Sequence, residues 1–301
     1  MRIARTRSDR LGGAALVALA LILAPASAAA YCRTSSCGET NGTRCVPEEL
    51  VDCGTELYWD PACISFSVQR DASEHVDLAT AEALVDQAFS AWEQSDCGGG
   101  ATPGIRIDDG GPVSCGAQEY NLTSGNANVV VFRDQKWPYI GQGNTLALTT
   151  VTFSLDTGEI FDADLEVNST EQIELTLTDD PTESRYDLLS ILTHEAGHML
   201  GIAHSPEPGA TMKVEYVPGD LELRSLSPDD QAAICAAYPP ADTSSCDTTP
   251  RRGLQDECGE LPEEEGCGCR LVGDSDRGGG SWAGLVALVA LGAARRRQRG
   301  A

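Results

Sequence analysis

The chain has 301 residues, enough for one well-packed domain of ordinary size with appendages. Its 21 Lys and Arg against 46 Asp and Glu leave a net charge of −25. That balance argues against nucleic-acid binding and against docking on anionic lipid headgroups. Solubility is the plainer account of it.

Residues 1–30 read as a secretory signal peptide. Arg2, Arg5, Arg7 and Arg10 form a basic start, Leu11 to Leu23 is an apolar run, and Ala28-Ala29-Ala30 supplies small residues for cleavage. The run is shorter than the ~20 residues that span a bilayer, which favours removal over a permanent anchor. Without this segment and residues 281–301 the chain keeps 13 basic and 45 acidic residues, a balance of −32. Twelve cysteines fall between Cys32 and Cys269. An even count behind an export signal points to disulfides formed outside the cytoplasm, and paired C-x-x-C zinc knuckles are absent.

Residues 31–58, with Cys32, Cys37, Cys45 and Cys53, form a short polar extension expected to be stapled by disulfides. Residues 59–240 mix strand and helix patterns. Ile64, Phe66 and Val68 alternate with polar neighbours, as in a half-buried strand. Val76 to Trp92 follows a helical period, and His75 before it is expected on the surface. Ile105–Ile107, Asn128–Phe132 and Thr145–Ser154 read as further strands. Between Asp156 and Glu166 lie five carboxylates. An oxygen-rich loop of this kind holds Ca²⁺, with Asp156, Asp162, Asp164 and Glu166 as candidate ligands; an acidic surface loop is the equal alternative.

Ser184-Arg185-Tyr186-Asp187 fits a loose capping box opening a helix whose buried side is Leu188, Leu189, Leu192, Ala196, Met199 and Leu200. Three of the four histidines in the chain lie on and just beyond it: His194, His198 and His204. Residues four apart on a helix are about 40° apart around its axis, so His194 and His198 face one ion. Glu195 stands beside the first ligand, where it can hold a metal-bound water. Gly201 allows a sharp left-handed turn that returns His204 as a third ligand. Three neutral imidazoles with a fourth position left for water make a catalytic zinc site. Further on, Ser227 and Pro228 start another helix, which Pro239-Pro240 ends.

The pattern His194-Glu195…His198…Gly201…His204 resembles the zinc signature of the metzincin metallopeptidases, and Ser205 after it resembles the matrixin branch. Met212 and Tyr216 match that family's Met-turn and pocket wall, while Val214 stands where matrixins usually carry proline. The resemblance implies an α+β, metzincin-like catalytic domain: a twisted mixed β-sheet with an active-site helix and two further helices. It implies that residues 145–154 form an edge strand binding substrate backbone in extended form. The second, structural zinc of matrixins cannot form in its usual shape, because His75 is the one histidine left. Arg44-Cys45-Val46-Pro47-Glu48 loosely resembles the cysteine switch, making Cys45 a candidate latency residue, although the glycine that follows it in the family is missing.

Residues 241–280 are acidic, poor in apolar side chains and carry four cysteines; they read as a tether. Residues 281–301 hold an apolar run, Trp282 to Ala294, and an arginine cluster, Arg295 to Arg299. With Gly266-Cys267-Gly268-Cys269 ahead of them they resemble the C-terminal sorting signals of myxobacterial surface proteins. That resemblance implies an exported protein on the outer surface or released, with a tail inserted transiently in the membrane and handled by envelope processing machinery. A plain membrane tail is the rival reading.

The expected function is a monomeric zinc-dependent endopeptidase, with protein or peptide substrates and one catalytic Zn²⁺. Glu195 promotes attack of zinc-bound water on the scissile carbonyl. The rivals are a zinc-stabilised binding module that no longer cuts and a disulfide-rich adhesin with incidental zinc. Intact Glu195 argues against the first.

Overall fold

The computed structural model describes residues 31–36, 54–139, 144–180 and 184–258, and the backbone of 284–293. The described elements, in chain order, are β1 (Cys32–Arg33), β2 (Tyr58–Trp59), β3 (Cys63–Val68), α1 (Leu78–Glu93), β4 (Arg106–Asp109), β5 (Val129–Phe132), β6 (Thr145–Ser154) and β7 (Glu159–Val167). They continue with β8 (Leu175–Thr176), β9 (Tyr186–Asp187), α2 (Leu188–Met199), β10 (Ile202–Ala203), β11 (Glu215–Tyr216), a 3₁₀ turn (Glu222–Arg224), α3 (Pro228–Ala237) and β12 (Gly284–Ala293).

The main sheet runs β11-β12-β6-β7-β5-β3-β4, with β2 also paired to β7. β3 lies parallel to both β4 and β5, β5 is parallel to β7, and β6 is antiparallel to β7. The architecture is α+β and metzincin-like: a mixed sheet with three helices. One correction concerns β3. Its alternating sequence suggests one wet face, yet Ile64 through Val68 are all buried, because the strand sits between two others and under a helix.

The core fills the space between the sheet and α1 and α2. Phe66, Val151, Phe153 and Leu165 from strands meet Val85, Phe89 and Trp92 from α1 and Leu188, Leu192 and Met199 from α2. Helix α1 starts at Asp77, whose carboxylate accepts the Thr80 N–H at 3.1 Å. Helix α2 is buried on all sides, all twelve residues of it, rather than along one stripe. Its N-cap is Asp187, accepting the Ser190 N–H at 2.9 Å, and not Ser184, which lies three residues before that cap. The Asp187 carboxylate is also held by Arg224, through Nε at 2.8 Å and Nη2 at 2.6 Å. A buried carboxylate with a guanidinium partner outcompetes an exposed serine for that position.

Disulfides join Cys63 to Cys246, Cys97 to Cys235 and Cys115 to Cys258. Two of these fasten residues 241–258 to the domain, where a tether stapled only within itself was expected. Backbone bridges Ser114–Glu257 and Asn126–Leu254 add to the attachment. At the other end, β1 pairs antiparallel with β10, so the start of the N-terminal extension is woven into the segment between two of the histidines. Cys45, the signal segment and the arginine tail lie outside the described residues. Among the described residues no helix is long and apolar enough to cross a membrane.

Strand β12 lies antiparallel along β6 from Gly284 opposite Ser154 to Gly292 opposite Thr145, and parallel to β11 on its other side. Strand β6, expected as an edge, is therefore paired on both sides.

Candidate active site

A helix leaves its last carbonyls without partners inside the helix. Here the chain supplies partners one by one. Trp59 Nε1 donates to the Met199 carbonyl at 2.8 Å, and Tyr238 Oη donates to Leu200 at 3.0 Å. Arg33 Nε and the Thr34 N–H both donate to the Gly201 carbonyl, at 3.2 and 3.0 Å. Gly201 has φ +79°, and a Cβ on it would lie 2.6 Å from the Leu57 carbonyl oxygen. Glycine is required twice over, by backbone conformation and by space. The turn it makes sends β10 back along the helix end and delivers His204.

His194, His198 and His204 are 0 %, 1 % and 9 % exposed. His198 Nε2 lies 3.1 Å from His194 Nε2 and 3.3 Å from His204 Nε2. On the far side of the first two rings, His194 Nδ1 faces the Thr211 carbonyl at 2.7 Å and His198 Nδ1 faces the Ile202 carbonyl at 2.8 Å. Carbonyls accept only, so each of those Nδ1 atoms carries its proton and each Nε2 presents a lone pair. Lone pairs converging on one point repel unless a cation sits between them. Tetrahedral ligands about 2.0–2.1 Å from zinc stand ~3.3 Å apart, which matches the spacing found. Burial, together with the neighbouring rings, pushes His194 down to about 3 and His198 well below its ordinary value, keeping both imidazoles in the neutral form a metal binds. The trio is the one group of three or more close metal-ligating side chains among the described residues.

Glu195 is fully buried. Its Oε2 accepts from Thr149 Oγ1 of β6 at 2.6 Å. Met212, also fully buried, lies under the helix turn between the two helical ligands, because a Cβ on Gly197 would be 2.4 Å from its sulfur and 2.6 Å from Trp92. The Trp92 indole in turn donates to the Thr193 carbonyl at 2.8 Å, tying α1 to the residue before the first ligand. From α3, Asp230 accepts the N–H groups of Thr211 and Met212 at 2.7 and 3.1 Å. Ser227 and Asp230 form the capping box there, with Pro228 at the first helical position. Tyr216, Leu146, Ala147, Ile173, Ile191 and Leu223 build a second apolar cluster beside β6 and β11.

The four candidate calcium ligands are not brought together. Asp156 is exposed in the turn between β6 and β7, whereas Asp162, Asp164 and Glu166 are buried along β7. The expected acidic loop is a strand with its carboxylates on one face, a period of two that the charges masked. Glu166 is engaged by Arg133 and Tyr139, and Asp164 accepts the N–H groups of Val129 and Glu119, both at 2.9 Å. Burial, then the mutual repulsion of the carboxylates, raises Asp162, and burial pushes Asp164 up to about 8.

Sequence reasoning assigned the three histidines, Glu195 and Met212, all of which meet here, but it passed over Thr149, Gly197, Asp230, Trp92 and Arg33. Only Gly197, a helix-breaking residue between two ligands, carried a local signal.

The mixed sheet, the three helices and the enclosed trio of histidines are metzincin-like. Residues 126–239 match the family model of the matrixins. The chain is 25% identical to matrix metalloproteinase-C of Caenorhabditis elegans over 215 residues, 68% of this chain and 32% of that protein. It is 36% identical to human matrilysin over 102 residues, 34% of each chain. It is also 42% identical to human neutrophil collagenase over 57 residues, 19% of this chain and 12% of that protein. The chain thus spans about a third or less of the length of these relatives.

Proposed function

We propose that the protein is an exported zinc-dependent endopeptidase. The observation that carries this reading is the convergence of three imidazoles, with His198 Nε2 3.1 Å from His194 Nε2 and 3.3 Å from His204 Nε2, beside a buried glutamate. The names of the relatives, metalloproteinase and collagenase among them, support it. Zinc held by His194, His198 and His204 would lower the pKa of a water toward ~7 and polarise a carbonyl.

The rest of the chemistry belongs to the chain. His194 and His198 are fixed in the donor tautomer by the Thr211 and Ile202 carbonyls. Glu195 takes a proton from the attacking water and passes it to the departing amine nitrogen. The Met212 side chain closes the floor and keeps water from below. An extended substrate lies along β6 and past β11. In support, β12 takes that course, antiparallel to one and parallel to the other. Residues 1–30 direct export, and residues 281–301 serve surface sorting, which when complete would clear the β6 edge.

The test uses the purified protein on casein and a quenched peptide library. Hydrolysis should vanish with chelator and return with zinc. Glu195→Ala should keep its zinc and lose about 10²–10⁴ in rate. A zinc-loaded Glu195→Ala variant as active as the parent contradicts the mechanism, and no hydrolysis of any substrate returns the protein to the binding-module reading.

A further inference from the structure

From Ala147 to Phe153 the helix-facing side of β6 is apolar with one interruption. Ala147, Val151 and Phe153 point toward α2 and its core, as the period of two requires, and Thr149 stands among them. All four are at most 2 % exposed. Valine fits a buried strand at least as well as threonine does and carries no hydroxyl to satisfy. A hydroxyl at this depth therefore needs a reason, and the structure gives it a specific partner. Thr149 Oγ1 is 2.6 Å from Glu195 Oε2, against 3.3 Å from the Glu195 backbone oxygen. A hydroxyl has one proton, and the shorter contact to the carboxylate takes it.

We propose that Thr149 is a positioning residue for Glu195, fixing the rotation of its carboxylate by holding Oε2 and so committing Oε1 to the proton transfer. This rests on the peptidase reading for its consequence, though not for its geometry. The proton moves from water to Oε1 and from there to the amine, while the Thr149 bond to Oε2 is kept throughout. A carboxylate free to rotate about its last torsion, which is broad and two-fold, would present either oxygen at varying angles. Thr149 also belongs to the strand whose backbone pairs with an extended neighbour, opposite Val289 of β12. The residue that offers its backbone to the peptide slot thus offers its side chain to the base, and a substrate seated on β6 stiffens the support of Glu195.

The test compares Thr149→Val, Thr149→Ala and Thr149→Ser with the parent. Each is measured for zinc content, for kcat and KM on a peptide the parent cleaves, and by crystallography. Thr149→Val should keep its zinc and its KM, lose kcat by about 10²-fold and show the Glu195 carboxylate turned from its parent position. Thr149→Ser should recover most of the loss, which a packing role would not explain. Thr149→Ala serves if the valine variant does not fold. An unmoved carboxylate, or an unchanged kcat, overturns the proposal. Should the parent cleave nothing while the valine variant still turns Glu195, the positioning contact stands and the peptidase reading falls.

Discussion

Asp230 Oδ2 accepts the backbone N–H of Thr211 at 2.7 Å. The carbonyl of that same Thr211 fixes the His194 ring, and its peptide partner, the Met212 N–H, also donates to Asp230, so a carboxylate at the start of α3 orients a metal ligand through the Thr211–Met212 backbone. Asp230 is 1 % exposed and also accepts from Met212 and from the Ser227 backbone and hydroxyl. In Asp230→Ala these buried donors lose their acceptor, at a cost of about 3 kcal/mol. Denaturant unfolding checks this, and chelator competition should show zinc affinity lower by about 10–100-fold.

Gly197→Ala is the second prediction. Alanine favours a helix by ~1 kcal/mol, yet the added methyl drives into Met212 and Trp92 at once. Overpacking of about 1–3 kcal/mol should win, and the unfolding temperature should fall. A more stable variant would mean that Met212 and Trp92 move aside freely.

The carboxylates of Asp162 and Asp164 set a pH dependence. Both are raised above the ordinary 3.8, Asp164 to about 8, so between those values the folded state binds more protons than the unfolded state. Stability therefore falls as pH rises through this window. Glu119 adds to the repulsion, while Arg133 is already committed to Glu166. Melting curves of Asp162→Asn should show a shallower fall than the parent. Calcium, which takes six to eight oxygens, should leave the parent curve unchanged.

Strand β12 covers the outer edge of β6. A chain ending at residue 280 should then cleave peptides with higher kcat/KM than the full chain, with the same zinc content. Equal activity in the two forms would mean that β12 yields to substrate without hindrance.

The chemistry was legible in the sequence because it is local. His194, Glu195, His198, Gly201 and His204 sit within eleven residues, and a helix followed by a left-handed turn brings them together with no help from elsewhere. Their supports were not legible, since each comes from far along the chain. Thr149 is 46 residues from Glu195, Trp92 is 101 from Thr193, and Arg33 is 168 from Gly201. Strand boundaries for β6 were readable from its Thr, Leu and Val content. The run from Asp162 to Glu166 misled for the opposite reason: its carboxylates suggested solvent, and only the folded packing, with Arg133 and Tyr139 waiting, allows them to be buried.

The most direct test is metal analysis of a chain of residues 31–301 after dialysis against metal-free buffer. The account predicts one tightly held zinc per chain, with affinity falling steeply in His204→Ala. A folded parent without stoichiometric transition metal, or a His204→Ala variant that holds zinc as tightly as the parent, would contradict it.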